Sequence, residues 1–136
     1  MSTRHSYVPT GWRRLGLALV LALSLAGCEI HSPEDDVLKA NTQVLLMDWH
    51  VAGFWVINSP VAWIRVYNYN QVPIKDITFQ YETFSEDGKP LNKGTFTIEG
   101  SVNGRSMKNF IELYLGIVDL YSQRLDVKLL SVKRAD

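Results

Sequence analysis

Between Ile74 and Phe84 the chain reads IKDITFQYETF, with an apolar residue at nearly every second place. Ile77, Phe79 and Tyr81 fall on one side, and Asp76, Thr78, Gln80 and Glu82 on the other. A helix would scatter both sets around its axis, whereas a strand keeps them apart. One face must therefore find a core while the other meets water, which is the pattern of an antiparallel sheet. Ser85-Glu86-Asp87-Gly88 follows at once. Asp-Gly between two β-runs predicts a hairpin, because glycine takes positive φ at little cost. The partner strand is predicted over Thr95–Glu99, with Phe96 and Ile98 inward.

The remaining chain repeats this grammar. In WIRVYNYN, Trp63–Asn70, Ile64, Val66 and Asn68 face one way, and Trp63, Arg65, Tyr67 and Tyr69 the other. From Thr42, Leu45, Met47, Trp49 and Val51 alternate with Leu46, Asp48 and His50; a helix continuing through Leu46 is the competing reading. Asn103-Gly104 marks a second turn. Asn109–Leu115 reads as a fifth strand whose facing stays open, since Phe110 and Ile111 are both apolar. Leu125–Val132 is the last strand, with Val127 and Leu129 inward. No helical period separates these runs, so a parallel sheet is not expected. The fold class that follows is all-β, an antiparallel β-sandwich of six to seven strands.

The stretch from Trp63 to Phe110 resembles the immunoglobulin-like sandwich domains of small bacterial surface lipoproteins, the FxLYD group with its late-embryogenesis-abundant-like relatives. The resemblance rests on Val66-Tyr67-Asn68 at a strand end, Ile74-Lys75-Asp76-Ile77 opening the next strand, the turn Glu86-Asp87-Gly88-Lys89, and a glycine-containing loop before Phe110. It implies that Asn68 closes a strand edge and that the Asp-Gly turn joins neighbouring strands. A Phe-x-Leu-Tyr-Asp run is absent; Asp119-Leu120-Tyr121 comes nearest, out of order. These are marks of fold and carry no chemistry.

The first 27 residues have another character. Arg4, His5, Arg13 and Arg14 make a basic start without an acid, and Leu15 to Leu25 form an apolar run of 11 residues. A bilayer-spanning helix needs about 20, so a signal peptide is expected over 1–27. Leu25-Ala26-Gly27-Cys28 resembles the bacterial lipobox. That resemblance implies cleavage between Gly27 and Cys28 and a lipid on the Cys28 thiol, which would anchor the chain in a membrane of the cell envelope. Cys28 is the only cysteine, and lipidation accounts for an odd cysteine in an exported chain. Glu29 rather than aspartate follows it, which by the same resemblance favours the outer membrane, facing the periplasm, in a Gram-negative cell. Residues 28–41 read as lipidated cysteine and polar tether, with Ser32 and Pro33 offering a helix start, and 42–136 as the sandwich domain.

After the predicted cut the chain carries 11 basic and 14 acidic residues. That balance gives no footprint for nucleic acid. A serine nucleophile needs a base within reach, and no such pairing, Gly-rich phosphate loop or zinc-ligand spacing occurs. The expectation is a chain that is not an enzyme and requires no cofactor or metal. Trp49, Phe54, Trp55 and Trp63 lie within 15 residues, followed by Tyr67 and Tyr69. Trp49, Trp55, Trp63, Tyr67 and Tyr69 are the candidate partner-binding residues, because exposed aromatics bring large apolar area with a polar tip. The expected partner is another envelope protein, in an assembly or accessory role. The alternative is a small-ligand lipoprotein, with the aromatics as a sugar platform or Met47, His50 and Met107 as copper ligands. Met47 and His50, three apart, are expected on opposite strand faces. A flat exposed aromatic face favours docking, and a pocket beside polar groups favours a ligand.

Overall fold

A computed structural model describes residues 32–54 and 57–136 of the protein. The predicted signal peptide, the Gly27–Cys28 cleavage site, His31 and Trp55 lie outside these residues. Among the described residues six strands form two three-stranded antiparallel sheets: β1 (Thr42–Phe54), β2 (Ile57–Asn68), β3 (Ile74–Phe84), β4 (Pro90–Val102), β5 (Ser106–Tyr114) and β6 (Arg124–Arg134). The strand order is β1-β2-β5 in one sheet and β4-β3-β6 in the other. The chain therefore changes sheet after β2, after β4 and after β5. The all-β antiparallel sandwich expected from the alternation is the fold observed.

β3 is the middle strand of its sheet, and its inward residues build the core. Ile74, Ile77, Phe79 and Tyr81 are buried against Ile64, Val66 and Phe110 of the other sheet and Ile98 and Val102 of β4. Phe79 and Phe96 face each other across strands with ring centroids 5.6 Å apart. Thr78, Gln80 and Glu82 take the outer face, where Thr78 shares a 2.8 Å hydrogen bond with Thr97. The Ser85–Lys89 turn closes the β3–β4 hairpin with Gly88 at φ +82, as the Asp-Gly signal predicts. At the second turn the positive φ falls on Arg105 (+55) instead of Gly104. Gly104 answers to a different need: a Cβ there would stand 2.3 Å from the Gln71 carbonyl oxygen.

Two strands depart from the expected alternation, and bulges are the reason. On β1 the pairing steps from Leu46↔Ile64 to Asp48↔Trp63, leaving Met47 as an extra residue. An extra residue reverses the faces beyond it. Val44 and Leu46 thus pack inward before the bulge and Trp49 and Val51 after it, while Leu45 and Met47, expected to share the face of Trp49 and Val51, are exposed. On β6 Leu130 is the extra residue between Phe79↔Leu129 and Thr78↔Ser131. That shift lets Val132 enter the core after Leu125, Val127 and Leu129 have done so from the same strand.

Ahead of β1, residues Pro33–Ala40 form a helix, α1, against β6 and the start of β1. Ser32 precedes it in extended conformation, Pro33 opens it, and Glu34, Asp35 and Asp36 occupy its first turn, where carboxylates complement the helix dipole. Leu38 is buried and joins the core. Two buried amides lock this end of the sandwich. Asn68 Nδ2 lies 2.9 Å from the Val72 carbonyl, 3.0 Å from that of Asn103 and 3.1 Å from that of Val102. Asn70 Nδ2 reaches the Leu38 carbonyl at 3.1 Å and Asn68 Oδ1 at 2.9 Å. Asn68 thus ties the end of β2 to the following loop and to the end of β4, and Asn70 extends the tie to α1.

Candidate docking face

β2 is the middle strand of the other sheet, and its residues alternate as predicted. Ile64, Val66 and Asn68 are buried inside, while Trp63, Arg65 and Tyr67 are half-buried on the outer face. β1 adds Leu45, Met47 and His50 to that face. β5 adds Met107 opposite Tyr67 and Asn109 opposite Arg65. The facing of β5, open in the sequence, is settled by Phe110, which is buried, against Ile111, which is 64% exposed. The outer face of β1-β2-β5 is therefore largely apolar. Its counterpart on β4-β3-β6 carries Thr78, Gln80, Glu82, Lys93, Thr95, Thr97, Asp126 and Lys128.

Bulges on both neighbouring strands meet at Trp63. Met47 is the extra residue on β1. On β5 the pairing jumps from Ala62↔Leu113 to Ile64↔Phe110, so Ile111 and Glu112 together stand opposite Trp63. Glu112 takes φ +55, the conformation that absorbs its extra length. The spreading leaves a depression of about 150 Å³ lined by Met47, Trp63, Arg65, Asn109 and Ile111, with Ile64 and Phe110 at its floor. Small-molecule pockets usually measure about 300–1,000 Å³, so this one suits a single side chain. A broader, open groove of about 390 Å³ runs along Tyr67, Tyr69, Arg105 and Met107. Another, of about 410 Å³, lies at the opposite end of the sandwich beside Glu86, Asp87 and Tyr121.

Of the aromatics singled out in the sequence, Trp63, Tyr67 and Tyr69 come together. Tyr67 and Tyr69 stack with centroids 5.9 Å apart and planes 4° from parallel. Trp49 is turned the other way and packs against the core. Met47 and His50 share the outer face, contrary to the expectation from their spacing, because the bulge at Met47 adds one residue between them and the alternation. The His50 ring lies 5.3 Å from that of Trp63. Met107 sits across β2, opposite Tyr67. Among the described residues no three His, Cys, Asp or Glu side chains gather as a metal site would require.

Arg65, Asn109 and Ile111 were not among the residues expected at the site. Arg65 Nε donates to Asn109 Oδ1 at 2.8 Å, and its Nη1 lies 3.4 Å from the Tyr67 hydroxyl. The signal for β5 was the Phe110-Ile111 pair, two large apolar residues in succession that one sheet face cannot both bury. No family model matches this chain, and no curated protein or solved structure matches it either.

Proposed function

We propose that this protein is a lipid-anchored envelope lipoprotein, attached through Cys28, whose sandwich domain docks another envelope protein and performs no catalysis. The observation that carries the docking reading is the contrast between the two outer sheet faces. On one, the middle strand turns Thr78, Gln80 and Glu82 outward; the other sets Leu45, Met47, Trp63, Tyr67, Met107 and Ile111 toward solvent. Contiguous exposed apolar area rimmed by polar residues marks interaction sites, and aromatics with Met and Arg are the residue types enriched at interfaces. The small volume of the Trp63 depression and the open, unenclosed form of the larger Tyr67–Tyr69 groove favour a protein surface over an enclosed small ligand. The lipidation half of the proposal rests on the Leu25–Cys28 motif and its basic and apolar flanks.

Photo-crosslinking residues placed singly at Met47, Ile111 and Met107 in intact cells test the docking half. They are expected to give one common adduct that Thr78 and Thr95 on the opposite face do not give. Equal adducts from both faces would refute a dedicated docking face. Cys28→Ser tests the anchor separately: lipid labelling is expected to vanish, and normal labelling with normal membrane fractionation would refute the lipoprotein reading.

A further inference from the structure

Arg65 lies at the centre of the outer face and forms no ion pair with a carboxylate among the described residues. The two ion pairs among the described residues, Arg124–Asp126 and Glu34–Arg134, lie elsewhere. Asp48, on the facing stretch of β1, accepts instead from the Trp49 backbone N–H at 2.8 Å. Lys108 on β5 is drawn toward the Phe110 ring, 5.2 Å from its centroid. The Arg65 side chain is half-buried beside Trp63, and the neutral oxygens of Asn109 and Tyr67 hold its guanidinium by one edge. A guanidinium has five N–H donors in a rigid fork, so donors remain for a visitor. A fork fixed beforehand loses little freedom on taking a carboxylate. Directly beside it lies the apolar depression formed by the paired bulges at Trp63.

We infer that this site takes an acidic segment of the partner protein, with one apolar side chain in the Trp63 depression and an adjacent carboxylate on Arg65. The inference rests on the docking reading above and names the partner's chemistry. The apolar contact supplies most of the affinity, and the carboxylate supplies selection among partners. A basic or neutral residue at that place would leave a partly desolvated guanidinium without its counter-charge.

The test is a titration of the full chain in detergent micelles, isotope-labelled for nuclear magnetic resonance. The probes are acetyl-Leu-Asp-amide and its uncharged twin acetyl-Leu-Asn-amide. With millimolar probe, signals of the Ile111 methyl groups, the Trp63 indole N–H and the Arg65 Nε–H are expected to shift together. The aspartyl probe is expected to bind about fivefold more tightly, the upper end for a partly screened ion pair. That advantage should shrink as salt is raised, disappear in Arg65→Gln and persist in part in Arg65→Lys. The comparison of the two probes on the unaltered chain needs no variant, so a folding defect in Arg65→Gln leaves it decisive. Equal affinity for the two probes, shifts away from the depression, or no shift with either probe would overturn the inference. Those outcomes leave the docking face itself to be judged by the crosslinks from Met47, Ile111 and Met107.

Discussion

Asn68→Ala is predicted to cost about 3–5 kcal/mol of stability, because one carboxamide serves three parts of the chain at once. The side chain is 1% exposed. Its two N–H hydrogens are shared among the carbonyls of Val72, Asn103 and Val102, and its oxygen accepts from the Asn70 backbone N–H at 3.0 Å and from Asn70 Nδ2 at 2.9 Å. Four hydrogen bonds at about 1 kcal/mol net each set the scale, and a buried partner left unsatisfied costs about 1–3 kcal/mol. A water entering the vacated space recovers part of that loss. The measurement is urea denaturation of residues 32–136 followed by tryptophan fluorescence, with exposed Asn109→Ala as control, expected within about 1 kcal/mol of the parent. Asn68→Asp should be at least as harmful as alanine at neutral pH, since an ionised carboxylate would face three carbonyl oxygens. A loss below about 1 kcal/mol for Asn68→Ala, at unchanged denaturant slope, would refute the view that this amide locks the end of the sandwich.

The core gives a second contrast: Phe79→Ala should cost about 3–5 kcal/mol through lost contact and a cavity, and Thr78→Ala, on the wet face, less than about 1 kcal/mol. If the urea midpoints of the two fall together, the assigned faces of β3 are wrong. Leu38→Ala should cost about 2–3 kcal/mol, and a chain starting at Thr42 should be less stable than one starting at Ser32; equal midpoints would show that α1 contributes nothing. At the β3–β4 turn, Gly88→Val should lose about 1–3 kcal/mol to backbone strain, whereas Gly88→Asn, a residue that tolerates this conformation, should lose less. Ser85's hydroxyl first, and the Lys89 backbone second, hold the Asp87 carboxyl below its ordinary pKa. A folded-state pKa below the unfolded value means that the stabilisation is present above the unfolded pKa and is lost as pH falls through the folded one. The carbon resonance of the Asp87 carboxyl should therefore titrate at more acid pH than an ordinary aspartate, and Ser85→Ala should move it upward.

Strands whose alternation is uninterrupted were legible from the sequence. Residues 77–82 of β3 and the 64–68 half of β2 face as the alternation says, and the Asp-Gly hairpin stands where it was expected. The start of β1 at Thr42 was legible too, but its facing was not. Met47 is as apolar as its neighbours, so nothing in composition marks it as the extra residue. The same holds for Leu130 in β6, where Leu129-Leu130 gives no hint of which one is displaced. Asn68 and Asn70 show a further limit. Asn68 was placed on the inward face, yet what a buried amide donates to depends on carbonyls from residues far along the chain, at Val102 and Asn103.

Where the period of two failed, the candidate site appeared. A regular sheet over the whole outer face would leave a flat ridge of side chains around Trp63, with no room between rows spaced by the pleat. Two bulges flanking one residue break that regularity on both sides, turning Met47 outward and setting Ile111 and Glu112 opposite Trp63. Local irregularity of this kind weakens a sheet unless something offsets it, and bulges are over-represented where a side chain must be re-aimed for a task. Here the re-aimed groups border Arg65, the half-buried cation of the face. If the bulges serve binding, removing one should cost affinity before it costs stability. Deleting Met47 would leave β1 paired without a bulge from Leu46 to Asp48 and take away the β1 wall of the depression. The shortened chain is expected to unfold in urea within about 1 kcal/mol of the parent, as for changes at well-tolerated sheet positions, and to lose the crosslinks made from Ile111. Retained crosslinks in a folded chain would show that the depression is a by-product of the fold and that docking uses the rest of the face.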